Sequence, residues 1–391
     1  MLNKKYMYHN KWTAECEKLA CLNQESKSEA CAVCVENGIL LPQKAGELIW
    51  GQGGCLRADG TFVEESGISG AFGGRYEYGE ADDYCDEAVI YIPIIPNHWG
   101  HFLIDTVSRL YILSDKTYYK KDKKIFYCSW RFEGGKLTGN YLRFFQLLGI
   151  NEKSLIAVQK PVRVRKIIIP KAALSYSGIR SCKYMIPAKR IVKNVIDSGI
   201  CDSLKAYERI YFTRTRLASS KKKEIGEEEL EWLFANNGFQ VMSPEKMSLE
   251  EQIYYIYHCK VMAGLSGTIP HNIIFAGNGM ELVILNRTCM PNPPQFLLNR
   301  ICKGVKVTYV DAYHKVTVKH PSDYGSGPFW IGVNKNVRRF CKDYGMAADR
   351  ERKHCHFKNA LKYYSLLFYY RVSRNQFTIR WYRKIREILY Q

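Results

Sequence analysis

The chain has 391 residues, of which 46% are hydrophobic and 25% charged, and it carries a formal net charge of +20. This length and apolar content suit two or three folded domains and exclude a mostly disordered chain. The charge points to anionic partners, but residues 331–391 hold 15 Lys/Arg and 4 Asp/Glu, so more than half of the excess belongs to one end of the chain.

Lys4 and Lys5 are not followed by an apolar stretch, and no run approaches the ~18–20 apolar residues of a membrane span. The expectation is a cytoplasmic protein whose 14 cysteines are reduced thiols. Cys31 and Cys34 form a C-x-x-C with Cys16 and Cys21 upstream, but the spacing matches no paired-knuckle zinc pattern, and His354-Cys355-His356 is a weaker set still.

Residues 1–85 read as an irregular, Gly-rich N-terminal extension with short strands. Regular structure begins with an apolar strand over 87–95, followed by a helical pattern over 99–114, a strand at 124–128, a helix over 141–148 and a strand at 162–169. A bridge over 171–208 contains a helix near 188–196. The alternation then repeats: strand 209–213, helix 227–236, strand 239–242, a helix opened by the Ser248/Glu251 capping box, strand 260–263, a tight loop 264–268, a short helix from Pro270, and strands at 280–285 and 305–310. Such alternation predicts parallel sheets covered by helices, hence an α/β fold of two Rossmann-like domains facing a cleft. The expected boundaries are 1–85 for the extension, 86–190 for an acceptor-side domain with the bridge, 191–320 for a donor domain, and 321–391 for a basic, aromatic, helical tail.

Three places carry chemistry. His101, Asp105 and Arg109 are spaced four apart just after a strand, so a regular helix stacks them in one polar stripe. A bland reading is a capped helix with one Asp105–Arg109 pair; the sharper one makes His101 or Asp105 a general base. Arg214 and Arg216 follow the strand at 209, where two guanidiniums suit phosphate oxygens. The loop Gly264-Leu-Ser-Gly-Thr268 joins a strand to a helix start, where small residues let an anion approach backbone N–H groups. Glu281 stands in an otherwise apolar strand and is a candidate for contact with a ligand hydroxyl or an arginine.

Together these blocks resemble the family 61 glycosyltransferases, in particular bacterial capsular-polysaccharide-type members. Asn97, His101, Phe102, Leu103, Asp105, Arg109 and Leu110 match one block. Arg214 and Arg216, followed by Glu227 to Leu230, match a second; Gly238-Phe239, Pro244-Glu245 and Glu251-Gln252 a third; Gly264, Gly267, Asn272, Phe275 and Glu281-Leu282 a fourth. The similarity covers roughly residues 87–315. It departs from the family pattern at Ser266-Gly267-Thr268, where His-Gly-Ala is common, and at Gly226, where Asn is common.

The resemblance implies a GT-B-like architecture and an inverting transfer from a nucleotide-sugar, with UDP as the first choice, to a glycan or lipid-linked acceptor in cell-surface polysaccharide biosynthesis. It implies no metal, so Arg214, Arg216, Ser266, Gly267, Thr268, His271, Asn272 and Glu281 become the donor-side candidates, Asn97 and Arg109 the acceptor-side ones, and His101 or Asp105 the base. Residues 357–391 mix aromatics with cations, which suits either a helix lying in an anionic inner-leaflet interface or one packing back onto the first domain. The charge also admits a nucleic-acid-binding protein, although no such module is evident, or a non-catalytic membrane-associated assembly protein.

Overall fold

A computed structural model describes residues 7–8, 30–175, 181–218, 223–289, 292–316, 327–348 and 353–374, and side chains of the last segment over 357–370. Cys16 and Cys21, the side chains of His354, Cys355 and His356, and the distal tail with Arg380, Trp381, Arg383, Lys384 and Arg386 lie outside what is described.

The first half is built on β4 (Asp83–Pro96), whose last eight residues are all buried. Burial on both faces follows from its place between β5 (Ile125–Trp130) and β7 (Val162–Pro170), both parallel to it. Pro93 is tolerated in this central strand because the register shifts between Ile92 and Ile94, so a missing N–H breaks no ladder bond. The six-stranded sheet runs β3-β2-β7-β4-β5-β6, with β6 (Leu155–Ala157) parallel at one edge. The other edge corrects the expectation of an irregular extension. β2 (Ala32–Lys44) and β3 (Gln52–Leu56) are full members, β2 pairing antiparallel with β7 through eight residue pairs. Asn37 at φ 51°, Gly38 and Pro42 interrupt the sequence pattern of β2, and the sheet overrides them.

The second six-stranded sheet runs β1-β13-β12-β11-β8-β10 and is parallel throughout. Its strands are β1 (Met7–Tyr8), β8 (Arg209–Phe212), β10 (Gln240–Met242), β11 (Val261–Leu265), β12 (Glu281–Asn286) and β13 (Lys306–Asp311). Chain order from β8 gives the doubly wound pattern 2-1-3-4-5, whose crossover reverses between β8 and β11. A two-residue strand β9 (Glu224–Ile225) pairs with β14 (Phe329–Trp330) beside this sheet.

Helices at 139–147, 185–197, 227–236 and 249–258 fall within a few residues of the apolar spacing, whereas 99–114 is not a regular helix and the helix at 293–301 was not expected. α1 (Trp99–His101) opens the run 99–114, α2 is Gly139–Leu147, α3 Met185–Asp197, α4 Glu227–Asn236 and α5 Leu249–His258, the last with both bonds of the Ser248/Glu251 capping box made. α6 (Pro293–Ile301), α7 (Lys335–Asp343) and α8 (Lys353–Arg374) complete the chain. The expected boundary at 320 also shifts: Phe329, Ile331, Val337, Phe340 and Cys341 pack with Tyr211, Leu265 and Leu285, so this segment belongs to the second half.

One continuous apolar core joins the halves. Phe102, Phe144 and Ile191 from the first sheet's helices pack in the same cluster as Ile253, Ile273 and Phe275 from the second's. The Phe144 and Phe275 rings lie 6.4 Å apart, and Arg143 Nε donates to Glu250 Oε1 at 2.6 Å.

Candidate active site

The chain leaves β4 at Pro96 and turns at once into α1, so residues 97–101 stand at a carboxyl sheet edge, where α/β folds place ligands. His98 caps the turn by accepting the His101 N–H at its Nδ1, 3.4 Å away. The expected regular helix does not form. Phe102–Thr106 is a π turn and Val107–Ser114 a 3-10 run, so the polar stripe breaks after its second member.

His101 Nδ1 lies 3.1 Å from Asp105 Oδ2. The His101 side chain is 41% exposed and that of Asp105 9%. A carboxylate fixed on Nδ1 holds its proton there and leaves Nε2 as the lone-pair nitrogen. Trp50 sets its ring edge-on against His101, with centroids 4.9 Å apart.

Arg109 corrects the acceptor-side expectation. It is buried, and its guanidinium donates to the carbonyls of Glu65, Gly67 and Pro170 at 2.6–2.9 Å. Burial lowers its pKa to about 10. It ties the 64–67 turn and the end of β7 under the helical run, and among the described residues no Asp105–Arg109 ion pair forms. Asn97 is exposed and its side-chain amide donates to the Arg131 carbonyl at 3.0 Å.

Across from this edge lie the carboxyl ends of β8 and β11, at the switch point of the second sheet. Gly267 adopts φ 142°, which an L side chain rarely takes, and a Cβ there would sit 3.5 Å from Arg287 Nη2 and 3.7 Å from Arg214 Nη1. Two guanidiniums therefore face the loop. Arg216 is exposed, and the second guanidinium at Gly267 is that of Arg287.

Both arginines are fixed by Glu224, whose side chain is 1% exposed. Its Oε2 accepts from Arg214 Nε at 2.9 Å and its Oε1 from Arg287 Nη1. Arg287 also stacks 4.7 Å over Phe329, and its N–H donates to Ser266 Oγ at 3.2 Å. Beside them Glu227 is buried; its Oε1 accepts from Arg214 N–H at 2.9 Å and from the Tyr211 hydroxyl at 3.3 Å. Burial, reinforced by the charge of Glu224, pushes its pKa up to about 8. Glu227 therefore offsets the two guanidiniums less than an ordinary carboxylate would.

The remaining loop residues bind the halves together. Trp99 Nε1 donates to Asn272 Oδ1 at 2.9 Å. A Cβ on Gly100 would lie 3.1 Å from both Thr268 Oγ1 and His271 Nδ1, so the residue before His101 lies directly against the loop. His271 is buried and accepts from Asn292 Nδ2 at Nε2, 3.1 Å away; burial, with the charges of His101 and His98 next, lowers its pKa to about 3 and keeps it neutral. His98 is lowered too, chiefly by burial. Ile269–Phe275 is a seven-residue 3-10 turn rather than a regular helix, so positive charge at the loop rests on the arginines more than on a helix dipole.

Glu281 corrects the donor-side expectation. It starts β12, opposite Val261 at the amino end of β11, on the far edge from Gly267. There it accepts from Thr308 Oγ1 at 2.7 Å, from Lys306 Nζ at 3.0 Å and from the Tyr344 hydroxyl. Among the described residues no three His, Cys, Asp or Glu side chains converge as a metal site requires. Sequence reasoning gave no role to Arg287, Glu224, His98 and Trp50, and it noted Glu227 only as part of a matched block. The edge rule that selects Arg214 and the loop also selects Arg287, which directly follows β12.

Residues 99–283 match the family model described as Glycosyltransferase 61. No curated protein matches the chain.

Proposed function

We propose that this glycosyltransferase carries out an inverting, metal-independent transfer from a nucleotide-sugar, with UDP as the first choice, to a hydroxyl of a glycan or lipid-linked acceptor in cell-surface polysaccharide synthesis of the bacterial capsular type. The segment that matches the glycosyltransferase 61 model, residues 99–283, contains His101, Asp105, Arg214 and the Gly267 loop, and the two halves are read as a GT-B-like pair, acceptor side first and donor side second. The observation that carries the reading is the contact of Gly100 with Thr268 and His271, which places the His101–Asp105 pair next to the loop faced by Arg214 and Arg287.

In this reading His101 Nε2 takes the acceptor hydroxyl proton while Asp105 holds Nδ1. The acceptor oxygen bonds to the anomeric carbon from the face opposite the leaving group. The bond to the phosphate oxygen breaks, and its electron pair leaves with the nucleoside diphosphate. Inversion follows from a single displacement. Arg214, Arg287 and the backbone of Ser266–Thr268 receive the added charge on the diphosphate, a role a divalent cation fills elsewhere. Preorganisation supports this assignment, because Glu224 and Ser266 fix Arg287 before any ligand arrives.

The test is a thermal-shift and hydrolysis screen against UDP-, GDP-, CDP- and TDP-sugars with chelator present. A shift with one nucleotide class that vanishes in Arg214→Ala is expected. No shift with any donor, or full activity in the Arg214→Ala/Arg287→Ala pair, defeats the donor-site assignment.

A further inference from the structure

α8 has two unlike faces. Tyr363 is buried against Trp330 and Ile225, Ala360, Leu366 and Leu367 pack around them, and Asn359 Nδ2 donates to Glu229 Oε1 at 3.1 Å. The described part of the helix therefore packs on the second half, beside β9 and β14. Among the described residues its outer face is exposed and carries an apolar stripe. Phe357 is 78% exposed and Phe368 69%, with Leu361 and Tyr364 exposed between them. The spacing 357, 361, 364, 368 keeps these four within about 60° of one another at 100° per residue, a single stripe. Lys358 and Lys362, both exposed, fall on one flank of it together with exposed Tyr369.

We infer that this face is a docking surface for an anionic lipid bilayer. Charge decides the occupant. By composition residues 353–391 hold nine Lys/Arg and one acid, Glu387, and among the described side chains Lys358 and Lys362 flank the apolar stripe. A protein partner of no net charge would engage the apolar stripe and leave the flanking lysines unused. A bilayer interface also rewards flanking lysines and ring-bearing side chains with polar tips, such as Tyr364 and Tyr369. Among the described residues no helix is long and apolar enough to cross a membrane, so the contact is peripheral. Docking through this face leaves the packed side of α8, and hence the Ile225–Tyr363 contact, undisturbed.

The experiment is co-sedimentation of the full chain with vesicles of phosphatidylcholine alone and of phosphatidylcholine with phosphatidylglycerol, with light scattering of the free protein in parallel. Binding to the anionic vesicles only is expected, weakened at least about tenfold by Phe357→Asp/Phe368→Asp and also by Lys358→Glu/Lys362→Glu, with unchanged melting temperature. Because both pairs are exposed, a stable variant that binds as wild type overturns the proposal. So does a dimer in solution that the Phe357→Asp/Phe368→Asp pair dissolves without any vesicle binding in the wild type, since the face is then a contact between two copies. The readout needs no donor or acceptor, so it stands or falls separately from the transfer reaction.

Discussion

Trp99 and Asn272, 173 residues apart, are joined by a 2.9 Å hydrogen bond from the indole Nε1 to the amide oxygen. The same indole stacks on Phe102, 5.2 Å between centroids, so it serves the first core and the second loop at once. Trp99→Phe keeps the ring and leaves Asn272 Oδ1 buried without its donor, which costs about 1–3 kcal/mol. Denaturant melts of Trp99→Phe, Asn272→Ala and the double variant are expected to show coupling between the two positions. Strictly additive losses refute the idea that this bond clamps the halves.

His101→Ala is expected to lower kcat by about 10²–10⁴-fold, the range a general base supplies, with donor KM little changed. Asp105→Asn keeps the shape but cannot hold the Nδ1 proton as a carboxylate does, so its loss is smaller and its rate–pH profile moves. Steady-state rates from pH 5 to pH 9 separate the two. If Asp105→Asn is the more damaging and His101→Ala retains the wild-type profile, Asp105 is the base.

Arg287 and Glu281 lie at opposite ends of β12 and give opposite expectations. Arg287→Lys retains charge but loses the planar fork that spans Glu224 and the Gly267 loop, so a fall in kcat of the size seen for lost oxyanion donors, about 10²–10³-fold, is expected. Glu281→Gln loosens the Lys306 and Thr308 contacts and reduces stability without changing donor affinity. Isothermal titration with the nucleoside diphosphate reads both; tight binding in Arg287→Lys together with weak binding in Glu281→Gln reverses the assignment.

Glu227 links stability to pH. Its folded pKa is raised to about 8 from an ordinary value of 4.5, so the folded state binds the proton more tightly than the unfolded chain does. Its contribution is complete below about pH 4.5 and is lost as pH rises to about 8. Glu227→Gln removes that slope. Melting temperatures across pH 5–8.5 are expected to fall less steeply with rising pH in the variant; parallel curves contradict the neutral acid.

Most of the alternation of strand and helix over 87–310 is readable because its strands are short apolar runs and the helices at 139–147, 185–197, 227–236 and 249–258 keep a 3.6 period, whereas 102–114 and 269–275 are not α-helical and the helix at 293–301 carries no comparable signal. β2 was not, since Asn37, Gly38 and Pro42 carry turn chemistry that sheet pairing overrides. The stripe at 101–109 was half right: the i,i+4 pair His101–Asp105 is present, but the π turn takes Arg109 out of line, and no single-sequence rule signals that turn. Arg287 was within reach. Glu281 drew attention for being charged in an apolar strand, while the topology placed the useful residue at the strand's other end. Glu224 carries no local signal, and Glu227 is marked only by its matched block, because the value of both comes from arginines distant in sequence or across a turn.

The two-residue strand β9 has a consequence for how the enzyme answers its surroundings. Glu224 and Ile225 are neighbours that turn opposite ways: the carboxylate anchors Arg214 and Arg287, and the isoleucine sits under Tyr363 of α8. The packing under α8 and the carboxylate that holds Arg214 and Arg287 are thus one peptide bond apart in β9. In the proposed reading of the site, truncating the chain before Tyr363 is expected to weaken nucleoside diphosphate binding while both six-stranded sheets remain standing.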